Sequence, residues 1–552
     1  MLVAELVGRT LARLGLARVF GVVGSGNFAV TTALRAAGVP FVATRHEAGA
    51  ATAADSYARM SGLMAAVTTH QGCGFTNALT GITEAAKSRT PLLVLTADTA
   101  GAAVLSNFNV DQDNLARSVG AVPERVHSAA SAVADTVRAY RTALTERRTV
   151  VLNLPLDVQG QPAPDDAVAL LDRDLEPPAA PAPMRPSASA VTALADLVAA
   201  ASRPVFIAGR GARHAGAPLR ELAARSGALL ATSAVAHGLF AGDEFALGIS
   251  GGFASPVAAE LIGDADLVVG WGCALNMWTT RHGKLLNPRA ALVQVDLEVA
   301  ALGAHRPITF GVLGDTAETA ADVLAELLAR GHTHSGYRRA DVRGRIAAGD
   351  WRRVGYPELP GPGIDPRRLS ARLDELLPTR RLVAVDSGNF MGYPSAYLSV
   401  PDEFGFCFTQ AYQSIGLGLF TALGAALAHP DRLTVAALGD GGFTMGVAEL
   451  ETVVRLGVPM VVVIYNDAGY GAEVHHFGPD STPEDLESVR FPDRDLAAIG
   501  RGFGAEAVTV RSVTDLDAVS DWLAAARPVP LVIDAKIADD GGAWWLAEAF
   551  GH

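Results

Sequence analysis

LTVAALGDGGFTMGVAELETVVRLGVPMVVVIYNDAGYGAE, from Leu433 to Glu473, contains two continuous apolar runs separated by a helix-length segment. Uninterrupted strands of this kind are buried on both faces, and strands joined through helices form parallel sheets. Ligands of such sheets sit beyond the C-terminal strand ends. Here those ends read Gly439-Asp440-Gly441-Gly442 and Asn466-Asp467-Ala468-Gly469-Tyr470. Asp440 and Asp467 stand 27 positions apart, about one strand–helix–strand repeat. Two carboxylates so placed, with a main-chain oxygen, suit a hard divalent cation such as Mg²⁺. The glycines let a diphosphate approach backbone N–H groups.

The same texture extends outward through the whole chain. Strands are expected at 17–23, 40–44, 64–69, 91–97 and 149–155, then at 204–209, 228–233, 265–272 and 290–296, and finally at 381–388, 433–440, 460–467 and 530–536. Two breaks interrupt the pattern. Residues 161–190 hold seven prolines and read as a connector, and 336–366 is helical at first and then Pro/Gly-rich. The expected fold is α/β, with three doubly wound parallel-sheet domains at 1–160, 190–335 and 365–545.

Composition sets bounds on function. The chain has 552 residues, of which 49% are hydrophobic and 19% charged, enough for several cores. Lys plus Arg is 45 against 58 Asp plus Glu, a net charge of −13. An acidic chain without a basic cluster argues against nucleic-acid binding and against a polybasic membrane face. No apolar run is long enough to span a bilayer, and the N-terminus carries charges unlike a signal peptide. Cys73, Cys273 and Cys407 are too scattered for a disulfide framework or a CxxC metal site, which fits a cytoplasmic protein.

The GDG segment with its second polar cluster resembles the cofactor motif of thiamine-diphosphate-dependent enzymes, in particular the acetolactate synthase, benzoylformate decarboxylase and pyruvate oxidase group. The resemblance covers nearly the whole chain and implies pyrimidine-binding, central and diphosphate-binding domains in that order. It implies that Asp440, Asp467 and the main-chain oxygen of Gly469 hold Mg²⁺, with Asp467 standing where the family usually has Asn. Gly439, Gly441, Gly442 and Tyr470 complete that loop. QSIGLGLFTALGAALAHP (413–430) matches the segment that wedges an apolar side chain beneath the cofactor, here Ile415, with Gln413 beside it. DSGNF (386–390) resembles a second diphosphate-contacting loop through Gly388 and Asn389.

In TRHEAGAATAADSYARMSG (44–62), Glu47 matches the family's activating glutamate, which hydrogen-bonds the aminopyrimidine ring. His70, at the end of VTTH, resembles the catalytic histidine of benzoylformate decarboxylase. Gln112, in FNVDQDNLAR (108–117), resembles a substrate-facing glutamine of acetolactate synthases. His475 and His476 resemble the paired histidines of pyruvate decarboxylases but fall in the wrong domain for that role. In the family, the pyrimidine domain of one subunit faces the diphosphate domain of another, implying a homodimer or homotetramer. The implied activity is decarboxylation of a 2-oxo acid with transfer of the remaining fragment to a carbonyl acceptor, as in acetolactate synthase. Simple decarboxylation, and a pyruvate oxidase-like reaction with FAD, are the alternatives. The central segment FIAGRGARHAG (206–216) is a weak dinucleotide pattern. Residues 270–285 do not reproduce an FAD-contacting pattern, so FAD is not favoured.

Overall fold

The structure is a computed structural model that describes residues 1–173, 175–179, 181–333, 336–359 and 361–546. The two connecting stretches are therefore described only in part, since positions 174, 180 and 360 lie outside these residues.

Three six-stranded sheets follow one another along the chain. The first contains β1 (Arg18–Gly21), β2 (Phe41–Ala43), β3 (Ala65–Thr69), β4 (Leu92–Asp98), β5 (Val122–Arg125) and β6 (Thr149–Pro155). Its order is β2-β1-β3-β4-β6-β5, parallel throughout. The second contains β7 (Pro204–Ala208), β8 (Leu229–Thr232), β9 (Ala246–Ile249), β10 (Leu267–Trp271), β11 (Ala291–Asp296) and β12 (Phe310–Leu313), ordered β12-β11-β10-β7-β8-β9. The third contains β13 (Arg381–Val385), β14 (Phe406–Phe408), β15 (Leu433–Gly439), β16 (Met460–Asn466), β17 (Glu506–Val510) and β18 (Leu531–Lys536), ordered β14-β13-β15-β16-β18-β17.

Each sheet reverses its strand order in its middle, between β1 and β3, β7 and β10, and β13 and β15, and the first and third turn back once more at the far edge, where β6 precedes β5 and β18 precedes β17. At such a switch point the two flanking connections leave in opposite directions and open a crevice beyond the strand ends. The first crevice lies beside Ser25 and His70, the second beside Gly209 and Gly272, and the third beside Asp386 and Asp440.

The first and third domains meet through helices Glu47–Ser61 and Gly418–Ala428. Small residues make this contact close. A Cβ on Gly424 would lie 2.1 Å from the Ala53 carbonyl oxygen. On the other side of helix Glu47–Ser61, a Cβ on Gly81 of helix Cys73–Lys87 would lie 2.7 Å from the Ala51 Cβ. The Ala- and Gly-rich helix Glu47–Ser61 is therefore a shared core element. It ends at Gly62, whose φ of +71° stops the helix in the left-handed region.

Candidate active site

In the third domain, Asp440 is the first residue of helix Asp440–Gly446, directly after β15. Asp467 follows β16, the next strand in the sheet. The parallel pairing brings their carboxyl groups into hydrogen-bonding contact. Burial raises the pKa of both, and repulsion from Asp440 adds to the effect on Asp467. The backbone N–H groups of Gly441 and Gly469 donate to Asp440. Two buried carboxyls in contact, with no ion pair to either among the described residues, are the donor set a divalent metal would relieve. Asn466 is not free to join them. Its Nδ2 donates to Asp534 at 2.8 Å, and its Oδ1 accepts from Ala468 N at 3.1 Å.

The surrounding loops leave no room for side chains at the glycines. A Cβ on Gly442 would lie 2.3 Å from Asp386 Oδ2, and one on Gly471 would lie 2.1 Å from Asp467 Oδ2. A Cβ on Gly441 would meet the Tyr470 ring at 2.7 Å. Tyr470 is in turn held edge-to-face by Phe491, at 5.0 Å between centroids. Asp386 is fully buried, accepts from Ser387 N and Gly416 N, and is pushed up to about 6 by burial.

Gly388 precedes the short turn Asn389–Met391 with φ +151°. The Asn389 side chain accepts from Ala543 N at 3.0 Å, so its carbonyl oxygen anchors the C-terminal segment. Ile415 is 36% exposed, where an ordinary core isoleucine would be covered. Gln413 is exposed with φ +65°.

In the first domain, Glu47 opens its helix and accepts from Asn77 Nδ2 at 3.2 Å. Its approach is fixed from the third domain: Glu449, fully buried, accepts from Arg45 N at 2.8 Å and His46 N at 2.9 Å. Sequence reading missed Glu449. Its signal is a carboxylate on the apolar side of a short helix, where only hydrogen-bond donors from a neighbouring element make burial tolerable.

His70 Nδ1 lies 2.8 Å from the Gln71 carbonyl oxygen and Nε2 lies 3.3 Å from Ser25 Oγ. A carbonyl can only accept, so in the neutral ring Nδ1 carries the proton and Nε2 accepts from the Ser25 hydroxyl. The ring also packs on Phe108, at 4.9 Å between centroids. Gly74 joins the two groups. A Cβ there would lie 3.1 Å from His70 Cβ and 3.3 Å from Glu47 Oε1. Ser25 is a second missed residue, and its position beyond β1 at the switch point was the available signal.

Gln112 is buried, with Nε2 donating to the Ala97 carbonyl (3.0 Å) and Asn153 Oδ1 (2.7 Å). Its Oε1 accepts from Gly72 N at 2.9 Å. With both ends of the amide engaged, Gln112 braces the turn below His70. His475 faces Asp540 at 3.7 Å, and Asp540 accepts from the Tyr393 hydroxyl.

A cavity of about 1150 Å³ lies at the junction with the central domain, with Arg210, Arg213, Arg281 and Arg306 in its wall. The glycine pattern there serves packing of the two switch-point loops, since a Cβ on Gly209 would lie 2.2 Å from the Gly272 carbonyl oxygen. Three of the arginines are held by protein carbonyls. Arg281 donates to Gly251 and Ala254, Arg306 to Leu275, and Arg213 to Arg59 and Glu403. The cavity has room for a nucleotide-sized ligand.

Comparison with known families matches all three domains. Residues 1–115 match the N-terminal TPP-binding domain of thiamine pyrophosphate enzymes, 191–324 the central domain, and 386–535 the C-terminal TPP-binding domain. The chain belongs to the thiamine pyrophosphate enzyme family. Relatives of this family member include a sulfoacetaldehyde acetyltransferase of Alcaligenes xylosoxydans xylosoxydans, 27% identical over 93% of this chain and 89% of that one. A probable 2-ketoarginine decarboxylase of Pseudomonas aeruginosa is 30% identical over 92% of this chain and 89% of its own. The solved thiamine diphosphate-dependent 4-hydroxybenzoylformate decarboxylase of Rhodococcus jostii RHA1 shares the fold, with a TM-score of 0.82 at 21% identity, covering 98% of this chain and 100% of that one. The chain is thus a thiamine-diphosphate-dependent lyase or transferase of the class that includes decarboxylases and acyltransferases. Among the described residues, no helix is long and apolar enough to cross a membrane.

Proposed function

We propose that this enzyme decarboxylates a 2-oxo acid with thiamine diphosphate and Mg²⁺ and releases the corresponding aldehyde. The cofactor, when bound, supplies the electron sink for loss of CO₂. The residues fit it: Asp440, Asp467 and the Gly469 carbonyl would hold the metal, Gly441 and Gly442 would flank the diphosphate, and Ile415 would support the ring system. Glu47 would hold a proton at the pyrimidine ring.

The observation that favours aldehyde release is the Ser25–His70 pair. Nε2 of His70, linked to a hydroxyl at the mouth of the first crevice, is placed to carry a proton to the product carbon. The glutamine that argued for transfer to a carbonyl acceptor, Gln112, is occupied elsewhere. Transfer is the second reading, supported by the sulfoacetaldehyde acetyltransferase relatives.

A panel of 2-oxo acids, offered alone and with aldehydes or ketones, separates the two by mass spectrometry of the products. Aldehyde from a single acid is the expected result, and a ligated product without free aldehyde sinks this reading. His70→Ala should slow aldehyde formation by roughly 10²–10⁴-fold, the range of general acid–base contributions, while leaving proton exchange at the cofactor's C2 intact. Loss of both together would place His70 earlier in the reaction.

The complete site needs two copies of the chain in this reading. Apolar side chains exposed near the crevices support it. Phe28 and Leu105 are 62% and 97% exposed in the first domain, and Met445 and Phe477 are 52% and 55% exposed in the third. The site takes no flavin in this reading, so protein purified without added cofactor should show no absorption band near about 450 nm, where a bound flavin absorbs. A yellow protein would overturn that expectation.

A further inference from the structure

Glu84 sits near the end of helix Cys73–Lys87 and is fully buried. A carboxyl group in that position is tolerated only where donors meet it. One is Ser88 Oγ of its own helix, at 3.2 Å. The other two come from the third domain: Ala411 N donates to Oε1 at 3.1 Å and Tyr412 N donates to Oε2 at 2.8 Å. Each oxygen thus takes one of two successive backbone N–H groups.

The neighbouring helix grips the same segment. Arg59 donates to the Phe408 carbonyl at 3.2 Å while paired with buried Asp55 at 2.7 Å. Thr90 fixes Asp55 from behind at 2.5 Å. At the far end of the segment, Gly416 N is held by Asp386 at 3.1 Å. Between these clamps lie Gln413, a non-glycine residue at φ +65°, and Ile415. A side chain in the left-handed region persists where its surroundings over-determine it, and here both flanks are pinned by carboxyl groups.

We propose that Glu84 is a positioning residue for the cofactor loop 410–416. It fixes the start of the loop so that Ile415 and Gln413 project toward the cofactor site. The role rests on the functional reading above, because it acts through the contact of Ile415 with thiamine diphosphate. The helices that carry Arg59 and Glu84 carry Glu47 and Asn77 in their opening turns. One helix pair therefore fixes the loop of its own chain and presents Glu47 at its other end.

The test compares full-length wild type, Glu84→Gln, Glu84→Ala and Ser88→Ala. Glu84→Gln keeps one carbonyl acceptor and is the milder change. Ser88→Ala removes the bond to Glu84 that does not involve the loop. Hydrogen–deuterium exchange of peptides covering 409–416 is measured on protein without cofactor. Affinity for thiamine diphosphate is measured at saturating Mg²⁺ by titration calorimetry, and Tm is recorded alongside. Exchange in 409–416 should accelerate in both Glu84 variants and stay unchanged in Ser88→Ala. Affinity should fall about 10–100-fold in Glu84→Ala, the range for residues that orient a ligand-contacting group, and less in Glu84→Gln. Unchanged exchange overturns the proposal. So does faster exchange with affinity kept, or a lower Tm without a selective change in 409–416. A wild type that does not bind thiamine diphosphate overturns the functional reading and this role with it. Binding by the wild type without loss in Glu84→Ala overturns this role alone.

Discussion

Glu47→Gln is expected to leave the protein folded and able to bind thiamine diphosphate, and to slow exchange of the cofactor's C2 proton by roughly 10²–10⁴-fold. The change is nearly isosteric. Glu47 is only half-buried, and the amide oxygen of glutamine can still accept from Asn77. The fold-level cost is the carboxylate's interaction with the helix N-terminus, about 0.3–1 kcal/mol, small for a chain with three cores. The chemical cost is large because an amide cannot hold and return a proton at the pyrimidine ring. Exchange followed by NMR after acid quench reads that step apart from decarboxylation. Exchange at the wild-type rate would remove Glu47 from the reaction. Loss of cofactor binding would instead make it a structural residue of the helix start. The same experiment on Glu449→Gln should give a weaker defect, since Glu449 acts only by holding the backbone of Arg45 and His46.

The interior of every sheet was legible in the sequence because its strands are buried on both faces and read as continuous apolar runs. β3, β4, β6, β7, β10, β13, β16 and β18 are buried at every position. The strands missed are β5, β9, β12, β14 and β17, and all lie at sheet edges. β5, Val-Pro-Glu-Arg, is half-buried throughout, and β17 is buried only at Val510. β14 has three residues, too few for a periodicity. β5, β9, β12 and β17 are only partly buried, and β14, though buried, is too short, so no long apolar run marks them.

The site divides along the same line. The proximity of Asp440 and Asp467 was readable because they end two long apolar strands separated by one helix, and these two strands pair. The burial of Gln112 was not readable because a loop's exposure depends on what packs over it, and here Gly72, Ala97 and Asn153 engage the amide. The partners of Glu84 and Glu449 were not readable. They lie 327 and 404 positions away in sequence, in a domain whose placement no local pattern encodes.

Asp440→Ala should abolish Mg²⁺-dependent binding of thiamine diphosphate, with a loss on the order of 100-fold or more, whereas Asp467→Asn should retain it. Both substitutions remove one carboxylate from the pair, so charge alone would predict equal effects. Asn keeps an oxygen ligand where Asp467 stands, and Ala leaves none where Asp440 stands. Metal-free protein gives an independent sign. Burial and the neighbouring Asp440 raise Asp467 well above its ordinary value of 3.8, so the folded state binds this proton more tightly than the unfolded chain does. Stability from that proton is full below pH 3.8 and is lost as pH rises through the folded pKa. Without metal, wild-type Tm should therefore fall as pH rises across this window. Asp467→Asn has no proton to lose there, so its Tm should exceed that of wild type above the window and vary less with pH. Mg²⁺ should reverse the wild-type trend, since the cation requires the deprotonated pair and its stabilisation grows with pH. Thermal melts of both proteins, with EDTA and with Mg²⁺, provide the check. Parallel pH profiles for wild type and Asp467→Asn would mean that the two carboxyls do not share a proton. Equal loss of cofactor affinity in Asp440→Ala and Asp467→Asn would mean that the metal requires both charges.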